Sequence, residues 1–309
     1  MTILYLAAGL AVFMLFASFV CFYLTFFVPT RKKHAKEEYP IPPGKIYEPY
    51  RARMTGWMKE LDAMEKQDFS IRSFDGLQLF GTYYEYAPGA PIELMFHGYR
   101  GSARRDLCGG VQRCFALGRS ALIVDQRAAG RSGGNVITFG IKEHRDCLSW
   151  LDFTVSHFGP DVKIILTGIS MGASTVLMAA GKGLPRQVIG VLADCGFTSP
   201  KAIICKVIRD LHLPPRLVYP MIRLGARLWG GFDLKEYSAI EAVKTCRLPT
   251  IFVHGDDDAF VPCSMSAENY NACTSEKALY IAPGAGHGLA FPVDEEAYLA
   301  FLKAHDPAR

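Results

Sequence analysis

The chain has 309 residues and a mass of 34.1 kDa, half of it hydrophobic by residue count, which suits one α/β domain with an appendage, because such domains reach about 250 residues without splitting. Its 34 basic and 30 acidic residues leave a net charge of +4, too balanced for a nucleic-acid partner, which calls for a clustered basic face. Nine scattered cysteines (Cys21, Cys108, Cys114, Cys147, Cys195, Cys205, Cys246, Cys263 and Cys273) contain no C-x-x-C pair; they argue against a disulfide framework or a structural zinc site and for free thiols in a reducing compartment.

The first predicted element is a membrane-spanning helix. Ile3 to Val28 is almost wholly apolar, and about 26 residues rising ~1.5 Å each cover the ~30 Å hydrocarbon core with tilt to spare. No basic residue precedes Arg31, so the segment lacks the basic n-region of a cleaved signal peptide and reads as a retained anchor. Arg31, Lys32, Lys33 and Lys36 follow it, and the positive-inside rule then puts the body of a single-pass protein in the cytoplasm. The expected division is an anchor over 1–30, a juxtamembrane Pro-rich linker over 31–50 with Tyr39 to Pro49 as a stiff spacer, and a catalytic-type domain over 51–309.

A helix is expected over about Arg51 to Lys66, then an antiparallel hairpin turning at Asp75-Gly76. From Ile92 short apolar strands alternate with helical stretches, the pattern of a mostly parallel central sheet with helices on both faces. The strands fall at 92–96, 121–125, 162–168, 188–194, 250–254 and 278–282. An insertion over about 196–247, apolar and broken at Pro214-Pro215, reads as a helical cap over the carboxyl edge of the sheet, where open α/β folds bind ligands.

The strand VKIILTG runs straight into Gly168-Ile169-Ser170-Met171-Gly172 and a small-residue helix. A bare G-x-S-x-G arises by chance in about one chain in ten of this length; its setting between a buried strand and a helix is what gives it weight. Ser170 needs an adjacent base and the base an orienting acid. Among eight histidines (His34, His97, His144, His157, His212, His254, His287 and His305), chain order leaves His287 and His305. His287 sits in a glycine-rich loop directly after a strand and is the expected base. Asp256, Asp257 and Asp258 follow the strand ending at His254; Asp258 is the expected acid, because two residues are needed to leave the strand before a carboxylate turns back. Asp194 is the outside candidate. Oxyanion donors are expected at the Met171 N–H and, from the loop His97 to Ser102, the Tyr99 N–H, with His97 bracing that loop. His144 and Cys147 approach a metal-ligand spacing without a second pair, so neither metal nor cofactor is expected.

From Phe69 to Lys303 the chain resembles the α/β-hydrolase fold serine hydrolases. HGYRGS, DQRAAGRSGG, GISMGA, HGDDDAFVP and GAGHG match that family's oxyanion loop, post-strand loop, nucleophile elbow, acid loop and base loop in order. Ala129 departs from it, standing where a glycine or histidine is common. More narrowly the chain is similar to bacterial membrane-anchored hydrolases related to ABHD-type esterases and serine aminopeptidase-like lipases. The resemblance implies hydrolysis of an acyl ester, thioester or amide through an acyl-enzyme.

Between Lys201 and Trp229 the cap carries Lys201, Lys206, Arg209, Arg216, Arg223 and Arg227 against Asp210 alone, interleaved with apolar residues. It either rests on an anionic leaflet or turns its apolar face onto the acyl pocket; both favour an apolar acyl chain. The leading expectation is a serine carboxylesterase acting on small-molecule or lipid esters. The alternatives are a catalytically silent domain of this fold that binds a lipid or a protein, and an acyltransferase or thioesterase using the same residues.

Overall fold

The computed structural model of the protein describes residues 1–29 and 38–308, apart from the side chain of Ile3. Arg31, Lys32, Lys33 and Lys36, which carry the orientation argument, and His34 lie outside the described residues. Helix α1 (Thr2–Thr25) is long and apolar enough to cross a membrane, with a mean hydropathy of 2.3. Leu4, Leu6, Leu10, Phe13 and Phe16 are exposed, whereas Ser18, Phe22 and the following Phe26 are buried.

Helix α2 (Arg51–Ala63) buries Met54, Trp57, Met58 and Leu61, a spacing of three and four residues that forms one stripe. It stops short of Lys66 because Met64 is extended, at ψ 147°. Strands β1 (Gln67–Arg72) and β2 (Gln78–Tyr84) pair antiparallel from Arg72 opposite Gln78. Gly76, at φ 86°, supplies the left-handed residue of their turn, and Ser73 closes it by exchanging hydrogen bonds with Leu77.

The rest runs β3 (Ile92–Phe96), α3 (Ala103–Asp106), α4 (Cys108–Ala116), β4 (Ser120–Asp125), α5 (Glu143–Phe158), β5 (Ile164–Ile169), α6 (Met171–Ala180), β6 (Val188–Asp194), α7 (Pro200–Asp210), α8 (Pro215–Trp229), α9 (Ala239–Ala242), β7 (Thr250–Gly255), α10 (Cys263–Ala272), β8 (Lys277–Ala282), α11 (Ala290–Val293) and α12 (Glu295–Ala304). The eight strands form one sheet in the order β1-β2-β4-β3-β5-β6-β7-β8. β2 meets β4 antiparallel, and every later pairing is parallel. Each strand read from the sequence is present, with ends moved by at most two residues. β3, β4 and β7 are buried at every position, as strands covered by helices on both faces must be.

Alternate side chains feed two cores. Met95, Ile123 and Val253 join Met58, Leu61 and Tyr298 on one face; Leu94, Phe96, Leu122 and Phe252 join Trp150, Val176 and Leu177 on the other. A third cluster sits above the carboxyl edge, where Phe22 and Phe26 of the first helical segment meet Phe139, Ile204, Tyr219, Ile222 and Phe232. The stretch expected to be a spacer packs instead on the body: Ile41 and Tyr47 are buried, and Lys45–Tyr50 forms a 3-10 helix. The signal for this is the apolar residue between the prolines, which a free spacer does not need.

One charge lies inside the sheet. Glu93 is fully buried on β3 and binds the guanidinium groups of Arg113 and Arg119 and the Thr167 hydroxyl. Burial alone would raise its carboxyl, but the two arginines bring it down to about 2. The folded value lies below the unfolded one, so this stabilisation is present above about pH 4.5 and is lost as the pH falls toward 2. Replacing Glu93 by Ala strands the buried Arg113, leaves Arg119 with Asp306 alone, and is expected to cost about 3–5 kcal/mol, read as a lower denaturation midpoint in urea.

Candidate active site

β5 ends at Ile169 and α6 begins at Met171, which leaves Ser170 alone to make the turn. It does so at φ 57° and ψ −118°, a region that costs a residue with a Cβ about 1–3 kcal/mol. Two glycines leave no other path. A methyl on Gly168 would run into the backbone of Gly172, and one on Gly172 into the carbonyl of Phe96. The Ser170 N–H donates to the Asp194 carbonyl at 2.8 Å, tying the turn to β6.

Ser170, His287 and Asp258 come together at this edge. His287 Nε2 lies 2.9 Å from Ser170 Oγ, and His287 Nδ1 lies 2.7 Å from Asp258 Oδ2. A carboxylate only accepts, so Nδ1 carries the proton and Nε2 is free to accept from the serine hydroxyl. Asp258 Oδ1 accepts from the N–H groups of Phe260 and Val261, both at 2.9 Å, and Oδ2 also lies 3.1 Å from His254 Nε2. Burial would raise this carboxyl, but the hydrogen bonds from the two histidines hold it well below the usual carboxylate range. It is ionised at neutral pH. The Tyr47 hydroxyl donates to the His287 carbonyl at 3.0 Å, bracing the His287 loop from the N-terminal side.

The other candidates are engaged elsewhere. Asp194 accepts from the Tyr298 hydroxyl at 3.1 Å, and burial raises its carboxyl. Asp256 accepts from the Gly284 N–H, and Asp257 is exposed. His254 is locked between Ser266 and Asp258, His144 faces the Gly140 carbonyl, His157 stacks on Phe153, and His305 lies by the Phe301 carbonyl. Cys195, Asp258 and His287 present ligand atoms within 4.8 Å of one another. Burial pushes the Cys195 thiol well above its ordinary value, however, and Asp258 and His287 already satisfy each other, so the donor set suits a hydrogen-bonded chain better than an ion.

His97 occupies the bracing position. Its Nε2 accepts from the Gln126 N–H at 3.0 Å, its Nδ1 faces the Gly98 carbonyl at 2.8 Å, and the Gln126 amide reaches back to the His97 carbonyl at 2.6 Å. This presses Gly98 onto Ser170: a methyl there would sit 3.4 Å from Ser170 Cβ. Among the described residues neither the Met171 nor the Tyr99 N–H has a protein acceptor.

A cavity of about 560 Å³ opens beside Ser170 and His287, walled by Ile46, Tyr47, Met54, Trp57, Met95 and Phe291. No residue of the 196–247 insertion lines it. The insertion expected as a cap therefore does not border this cavity. The apolar face of α8 is spent on α1, where Gly225 abuts Ser18 and Phe22 and Trp229 stacks edge-on with Phe19. The cavity wall comes from α2 and the segment read as a spacer, with Met95 of β3 and Phe291 of α11. Its signal in the sequence is the Met54-Trp57 stripe, which looks like ordinary core.

No family model matches the chain. It is 28% identical over 246 residues to the uncharacterised protein YqkD of Bacillus subtilis, spanning 78% of this chain and 79% of that one. Among solved structures it is similar to an esterase of Pyrococcus furiosus, with a TM-score of 0.65 and 20% identity over 86% of this chain and 97% of the esterase. It is also similar to Est1E of Butyrivibrio proteoclasticus, solved with ferulic acid bound, with a TM-score of 0.61 and 19% identity over 77% and 98% of the two chains. The fold is that of the α/β-hydrolases.

The strain at position 170 has a measurable sign. Ser170→Gly removes the Cβ penalty and Ser170→Ala keeps it, while both lose the hydroxyl. The glycine variant is expected to be the more stable of the two by about 1 kcal/mol, despite the larger entropy of its unfolded chain, as read from their urea midpoints.

Proposed function

We propose that this α/β-hydrolase-fold chain is a serine hydrolase that cleaves carboxylic esters with an apolar acyl group, using Ser170 as nucleophile, His287 as base and Asp258 as the orienting acid. The observation that carries the reading is the unbroken path from Ser170 Oγ through the imidazole to Asp258, with spans of 2.9 and 2.7 Å. As the hydroxyl oxygen bonds to the ester carbonyl carbon, its proton passes to His287 Nε2. The carbonyl oxygen becomes an oxyanion held by the Met171 and Tyr99 N–H groups, next to the positive end of the α6 dipole. His287 then gives the proton to the departing alkoxide as the C–O bond breaks, leaving an acyl-serine. Water repeats the sequence: His287 takes its proton, the acid leaves, and the proton returns to Ser170.

An apolar wall of Ile46, Met54, Trp57, Met95 and Phe291 supports an apolar acyl group, and the volume fits a small or medium ligand. Retention of α1 as a membrane anchor is supported by its second half, since Phe22 and Phe26 are built into the core and a cleaved leader would leave that surface bare. The boundaries that support best are an anchor to about residue 29 and a hydrolase body that already includes Ile41 to Tyr50.

The test is chemical. A fluorophosphonate is expected to label the wild type and not Ser170→Ala; an unlabelled wild type refutes hydrolysis and favours a binding role. Asp258→Asn should lose about four orders of magnitude in kcat through the wrong histidine tautomer. On p-nitrophenyl esters of graded length, Trp57→Ala should move the preferred acyl chain longer, and a profile unchanged by that substitution removes the cavity as the acyl site.

A further inference from the structure

The last carbonyls of a helix have no partners within it, and at the end of α1 two residues of the proposed oxyanion loop supply them. The Tyr99 hydroxyl donates to the Thr25 carbonyl at 2.6 Å. Arg100 Nη2 donates to the carbonyls of Leu24 at 2.8 Å and Phe27 at 3.3 Å, a cation at the negative end of the helix dipole. Arg100 stands at φ 53°, a left-handed conformation that a non-glycine residue keeps only when its surroundings impose it. The contact with α1 is such an imposition. The Tyr99 ring extends it, lying 5.0 Å from Phe139, whose ring is 5.8 Å from Phe26.

The helix is itself fixed to the body from several sides. The Val28 N–H donates to the Asn135 carbonyl at 2.8 Å, the Ile137 N–H to the Phe26 carbonyl at 2.9 Å, and Trp229 Nε1 to Ser18 Oγ at 3.2 Å. Gly225 lets α8 approach so closely that a side chain there would strike the Ser18 carbonyl and Phe22. α1 therefore reaches the reactive edge as a seated part.

Resting on the serine-hydrolase reading, we infer that α1 is a positioning element of the oxyanion hole. Its terminal carbonyls, through the Tyr99 hydroxyl and the Arg100 guanidinium, fix the loop that presents the Tyr99 N–H to the developing oxyanion. Displacing α1 then lowers turnover without disturbing the nucleophile, the base or the Ile46, Met54, Trp57 and Phe291 wall of the cavity, which lies away from the Tyr99-Arg100 side of its lining. That donor matters mainly when charge develops on the substrate oxygen, so the loss falls on kcat and leaves KM nearly unchanged.

Two variants of the full chain in detergent micelles test this, with p-nitrophenyl butanoate and a fluorophosphonate as probes. Tyr99→Phe keeps the ring and removes only the hydroxyl. Gly225→Leu pries α1 from α8 without touching the loop. Each is expected to lower kcat and the phosphonylation rate by about tenfold, a fraction of the loss seen when an oxyanion donor is removed outright, with KM within twofold and Ser170 still labelled to completion. The double variant should be no worse than the weaker single one, because both act through one contact. Unchanged kcat in Tyr99→Phe, a loss falling on KM, or full additivity in the double variant overturns this inference and leaves the hydrolase reading standing; if Gly225→Leu fails to fold, Tyr99→Phe decides alone. A wild type that neither reacts with the fluorophosphonate nor turns over the ester overturns both.

Discussion

The approach of α6 to β3 at Gly172 governs the reactive edge. With no side chain between the helix backbone and the Phe96 carbonyl, α6 can lie flat on the sheet, and every one of its ten residues is buried. That burial, with Ala173, Val176, Leu177 and Ala180 in one core, offsets the strain forced on Ser170. Relaxing the turn would lift the helix and empty its packing, so the strained serine is held by the core and not by its own loop. The same crossing sets the Met171 N–H beside the hydroxyl and brings the loops after β3, β7 and β8 to one place.

Two carboxylates share this edge and are driven apart by their surroundings. Asp194 ends the parallel strand β6 and Asp258 follows the parallel strand β7, and both are buried. Asp258 collects two backbone N–H groups and two imidazoles and stays ionised. Asp194 has one phenol and, among the described residues, no cation in contact, and burial raises it. Position along the chain leaves both open; hydrogen-bond supply separates them.

Much of this was legible because it is local. The strands announce themselves as β-branched runs, the strand-to-helix turn at Ser170 as glycines two residues either side of a serine, and the position of His287 as a glycine-rich loop after the last strand. Asp258 followed from counting residues out of β7. The Asp75-Gly76 turn was visible, although Ser73 extends it to a five-residue loop. What stayed hidden depends on partners far away in sequence. The amphipathic face of α8 was plain, but nothing in its residues says that it meets Ser18 and Phe22 in place of an acyl chain. Pro42-Pro43 reads as a breaker whether it spans open water or walls a cavity, and Met54 and Trp57 read as core whether or not they leave a void beside them.

The packing of α1 on α8 also orders the birth of the molecule. Ser18 and Trp229, joined by a hydrogen bond, are 211 positions apart, so at a synthesis rate of about 5–20 residues per second the helix waits some tens of seconds for its counterpart. Phe26 meets Phe139 well before that, but the cover over Phe22 and Phe26 is complete only once Tyr219, Ile222 and Phe232 have been made.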